Sequence, residues 1–123
     1  MPSEMRKMVF SQDELQAALV NYALRTKRKL PNATIEGIHV EEKNEISVTI
    51  VYAPDGTEEA KTVEFEQTHV AAAVILFCRT HEIPLPREAR KVLVPVDNSV
   101  AMIVQMDHSD KSPGIRSNIE RDA

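Results

Sequence analysis

His39, His69, His81 and Cys78 are the side chains here that most readily hold a metal. Cys78 and His81 lie three apart, a spacing that puts both on one face of a helix. A structural zinc wants four ligands, and no second pair at ligand spacing accompanies them. Cys78 also sits inside the apolar run VAAAVILFC at 70–78, where a cysteine behaves as a small core residue. No metal and no cofactor is expected.

Catalysis finds little to work with. Gly37, Gly56 and Gly114 are the only glycines, so there is no nucleophile elbow, phosphate loop or dinucleotide fingerprint. Glu41, Glu42, Glu45, Glu58, Glu59, Glu64 and Glu66 fall in turns or on strand exteriors. None pairs with another in an apolar setting that would raise a pKa. Pro2 is the one specific candidate, since removal of Met1 would expose its amine as a base. The stretch PSEMRK around it is polar and expected to fray, which is a poor setting for that chemistry.

The cations are the best-organised polar feature. Arg25, Lys27, Arg28 and Lys29 follow one apolar stripe, and Arg79, Arg87, Arg90 and Lys91 follow another. Such clusters could hold an anion: nucleic-acid phosphate, a nucleotide or an acidic partner. They also complement the negative ends of helix dipoles, which needs no ligand.

Those clusters need elements to position them. SQDE at 11–14 is a capping box, and Leu15, Ala18, Leu19 and Tyr22 follow at helical spacing. Strands are expected at 34–40 and 45–52, with a bulge at Gly37, where the apolar alternation slips. Ile46, Val48, Ile50 and Tyr52 alternate onto one face of the second strand. Pro54-Asp55-Gly56 reads as a surface turn.

Then the pattern restarts: a short strand at 62–65, a helix capped by Thr68, and a hairpin of 91–96 and 100–106 turning at Asp97-Asn98-Ser99. A 55-residue shift lays Phe10 on Phe65, and with it Gln12 on Gln67, Ala17 on Ala72, Ala18 on Ala73, Leu30 on Leu85 and Pro31 on Pro86. Both helices therefore leave through the same Leu-Pro step. The expected architecture is α+β: a duplicated β-α-β-β unit, with two helices on one face of a mostly antiparallel sheet. One domain spans 1–106, with pseudo-repeats 8–53 and 62–106, and the polar tail 107–123 is expected to be disordered.

The two helices differ. The first has a wet face with Gln16 and Asn21, whereas the second is apolar nearly all round from Val70 to Cys78. A helix with no polar face must be covered on more than one side. Ala71, Ala72, Ile75, Leu76 and Cys78 are thus candidates for an oligomer interface, a homodimer being the simplest form.

Composition closes off other classes. The chain of 123 residues is 42% apolar, 28% charged and only 4% aromatic, with net charge −4. Few aromatics and an acidic balance weigh against a dedicated nucleic-acid binder. No apolar run is long enough to span a bilayer. The expectation is a cytoplasmic, non-catalytic interaction or small regulatory module that binds itself or another protein. The alternative is a nucleic-acid or phosphate-anion binder using the clusters at 25–29 and 87–91.

Overall fold

Eight elements follow one another in the order β1 (Ser3–Val9), α1 (Gln12–Arg25), β2 (Ile35–Glu42), β3 (Ile46–Tyr52), β4 (Lys61–Phe65), α2 (Gln67–Thr80), β5 (Arg90–Val96) and β6 (Ser99–Asp107). The structure is a computed structural model that describes residues 3–54, 56 and 59–107. Pro2, Asp55, Glu58 and the tail beyond 107 lie outside the described residues.

The α+β class is as the sequence predicts, and every strand pairing is antiparallel. The single sheet expected is instead two: the strands are divided between β1-β6-β5 and β2-β3-β4, three strands each. Each hairpin takes its third strand from the other half of the chain: β4 pairs with β3, and β1 pairs with β6. The two halves are therefore interlocked rather than laid side by side.

Local chemistry explains most element ends. Ser11 Oγ accepts the Glu14 amide at 3.1 Å, and Glu14 Oε1 accepts the Ser11 amide at 2.8 Å, completing the capping box. The register of β2 on β3 shifts between Ile35 and Gly37, which is the expected bulge. Two expectations fail. Thr68 is not the cap of α2; Glu66 holds that position, without a side-chain cap bond. Residues 3–7 do not fray but form most of β1, although all five are exposed. Their backbone is held by pairing with β6, so an edge strand forms without the apolar alternation that would advertise it.

Both helices end alike. The Arg28 amide donates to Ala23 O at 2.8 Å and the Lys27 amide to Leu24 O at 3.3 Å. The Ile83 amide donates to Cys78 O at 2.8 Å and the Glu82 amide to Arg79 O at 3.2 Å. These are two Schellman motifs, with Lys27 (φ 61°) and Glu82 (φ 57°) in the left-handed region where glycine is usual. Leu30 and Leu85 then pack half-buried against the core as the chain turns away.

One apolar cluster joins both halves. Leu15, Ala18, Leu19 and Ala23 of α1 meet Val70, Ala73, Val74, Phe77 and Cys78 of α2, all buried. Ile46, Val48, Ile50 and Tyr52 of β3 and Val100, Met102 and Val104 of β6 complete it. The ring of Phe10 meets Phe77 edge-on with centroids 5.8 Å apart. Deleting a fully buried leucine such as Leu19 would cost about 2–5 kcal/mol.

The matched glutamines of the two helices tie this core together. Gln12 Nε2 donates to Asn98 O at 3.0 Å, in the β5–β6 turn, and Gln67 Oε1 accepts the Ile46 amide at 2.8 Å, just after the β2–β3 turn. Each helix start is thereby fastened to the hairpin of the opposite half.

Candidate functional site

The cation clusters separate once folded. In the first, Arg25, Lys27 and Lys29 are exposed, while Arg28 is committed to the fold. Its guanidinium lies 4.4 Å over the Phe65 ring and donates to Glu64 O. That combination of stacking and carbonyl bonding fixes the α1 exit onto β4.

In the second cluster, Lys91 Nζ donates to Pro86 O at 2.9 Å, Ala89 O at 3.2 Å and Arg87 O at 3.4 Å. It holds the turn before β5 in place. Arg90 points to the other side of its strand, where Nη2 reaches Gln105 Oε1 at 3.3 Å. Arg79 and Arg87 are exposed, and their guanidinium groups bond to nothing among the described residues. Together with Lys91 they line a groove of about 350 Å³, floored by Ile75, Ile83 and Leu85.

The apolar α2 helix is covered mainly by its own chain. It packs on α1 and β3. Cys78 is fully buried in the core and cannot lie in an interface, which corrects that expectation. Burial pushes its thiol pKa up, Arg6 opposing this more weakly. Ala71, Ala72, Ile75 and Leu76 are half-buried.

Among the described residues, the exposed apolar surface is mostly elsewhere. Residues paired across a sheet share a face. On the outer face of β1-β6-β5 the rows read Val9–Ala101–Val94, Lys7–Ile103–Val92 and Met5–Gln105–Arg90. The corresponding rows of the other sheet read Ser47–Glu41, Glu64–Thr49–His39 and Thr62–Val51–Gly37. The first two rows of the second set are polar throughout, as solvent favours; those of the first set are apolar except for Lys7. Met5 (65%), Val9 (57%) and Val92 (47%), three of the four exposed large apolar side chains among the described residues, lie on this one face. The fourth, Leu24, is on α1.

A signal for this face exists in the sequence. EISVTIVY alternates, whereas KVLVPV and VAMIVQM are apolar at consecutive positions. Apolar residues at consecutive positions put apolar side chains on both faces of a strand.

Among the described residues no three His, Cys, Asp or Glu side chains come together to hold a metal, and no helix is long and apolar enough to cross a membrane. His39 and Glu41 are neighbours at 4.0 Å on the outer face of β2, both well exposed. No family model, curated protein or solved structure matches the chain.

Proposed function

We propose that this chain is a non-catalytic interaction module of regulatory or adaptor type, and that it self-associates through the outer face of β1-β6-β5. One observation carries this reading. Positions that are Thr49, His39 and Glu41 in one sheet are Ile103, Val92 and Val94 at the matching rows of the other, where exposed Met5 and Val9 extend the apolar face. The fold tolerates polar residues there, so the apolar set serves contact rather than folding. Two such faces pack about 10 Å apart in a sheet-on-sheet sandwich, and a twofold pair is the simplest closed assembly.

Light scattering at micromolar concentration tests it. Wild type is expected at twice the chain mass, and Val92→Glu with Ile103→Glu at the single-chain mass with an unchanged helical signal. A wild-type monomer across that range overturns the self-association.

A second reading has its own support. Arg79, Arg87 and Lys91 converge on one groove, so an anion site at the α2 exit is a reading independent of the sheet face. Binding that weakens steeply with salt, and that Arg87→Gln weakens further, is its expected signature.

A further inference from the structure

We propose that the groove at the α2 exit binds a small aliphatic carboxylate, its head between Arg79 and Arg87 and its tail along Ile75, Ile83 and Leu85. This rests on the anion-site reading and names the ligand class.

The lining separates into two parts. Ile75 comes from the last turns of α2, and Ile83 and Leu85 come from the exit segment. All three are half-buried and packed on the core, so the floor is firm and apolar. The rim is cationic: Arg79, Arg87 and Lys91, with no carboxylate among the described lining residues. Lys91 supplies charge but spends its donors on the carbonyls of Pro86, Arg87 and Ala89. That bonding fixes the turn bearing Arg87. The forked donors of Arg79 and Arg87 remain available, and a carboxylate matches such a fork.

The exit from α1 is an internal control. Shifted by 55 residues, Arg79 becomes Leu24, Ile83 becomes Arg28 and Arg87 becomes Asn32. The Arg28 guanidinium lies down on Phe65 and Glu64 of β4. The same helix-exit geometry thus carries a self-satisfied arginine in one half, and an apolar floor with two uncommitted arginines in the other. The Schellman turn does not require the second arrangement.

The chemistry selects among anions. A polyphosphate or nucleic acid would engage many cations and gain nothing from the floor. An apolar molecule without charge would leave the arginines unused. A volume of about 350 Å³ is at the small end of ligand sites, which suits a short chain with a single charged head.

Amide-resolved NMR titrations of the whole chain with octanoate, octanol and inorganic phosphate test the proposal. Octanoate is expected to shift the amides of residues 75–91 saturably, at least tenfold more tightly than octanol or phosphate. Arg79→Gln with Arg87→Gln should weaken octanoate at least tenfold without lowering the melting temperature, since neither guanidinium is bonded among the described residues. Phosphate binding as tightly as octanoate overturns the amphiphile and leaves the anion site standing. Octanol matching octanoate, or shifts centred on residues 92–103 instead, overturns the site as described. No shift with any anion overturns both readings.

Discussion

The Val40 amide donates to Asn98 Oδ1 at 2.9 Å across 58 positions of sequence, while Asn98 Nδ2 donates to Ile38 O at 2.8 Å. One side chain in the β5–β6 turn thereby pairs with the free edge of β2 as a neighbouring strand would. Asn98→Ala is expected to cost about 2 kcal/mol, because two partly buried backbone groups lose their partner. Asn98→Asp keeps the acceptor and loses the donor, so its midpoint in urea should fall between wild type and alanine. Equal midpoints for all three would show that the edge is satisfied in another way.

Lys27 and Glu82 share a left-handed conformation that costs a side-chain-bearing residue more than glycine. Lys27→Gly and Glu82→Gly should each stabilise the fold by about 0.5–1 kcal/mol, and the pair should be additive. Thermal melts of both singles and the double check this.

The cations should sort by their contacts. Arg28→Ala is expected to cost about 1–2 kcal/mol, through loss of the Phe65 contact and the Glu64 carbonyl bond. Arg25→Gln and Lys29→Gln, which are exposed, should fall within about 0.5 kcal/mol of wild type. Equal effects at all three would mean that charge near the α1 terminus matters more than contact.

Burial raises the pKa of Tyr52 above 10.0 and that of Cys78 above 9.0. In the alkaline range the unfolded chain loses these protons before the folded chain does. The stability they confer is therefore complete below the unfolded-state values and declines as pH rises through them toward the higher folded-state ones. Denaturation midpoints should drop from pH 9 upward, and Cys78→Ala with Tyr52→Phe should flatten the drop. Thiol reagents should leave native Cys78 unmodified.

Tyr52 Oη is buried without a hydrogen-bond partner among the described residues. Tyr52→Phe should therefore stabilise the fold at neutral pH by about 1 kcal/mol. A loss of stability would reveal a bond to the hydroxyl.

Short-range physics made much of this protein readable in advance. The capping box at Ser11, the stripe of α1, the Gly37 bulge and the alternation of β3 each depend on residues a few positions apart. Ser3–Lys7 of β1 was hidden because an edge strand needs only one partner and no buried face, so this stretch carries no apolar period. The cation clusters were legible as clusters but not as sites. Whether an arginine at a helix exit lies on Phe65 or stands over a groove depends on which strand passes beneath it.

The sequence by itself determined most element types, their order and that both helices end alike, because caps, periods and turns are local. Only the tertiary structure decided that six strands form two sheets, that each hairpin borrows a strand from the other half, and that Cys78 faces the core. Strand partnership is a contest between distant segments with similar apolar patterns, and it is settled by how they pack together. Among the described residues, that packing leaves the outer face of β1-β6-β5 and the groove beside α2 uncovered.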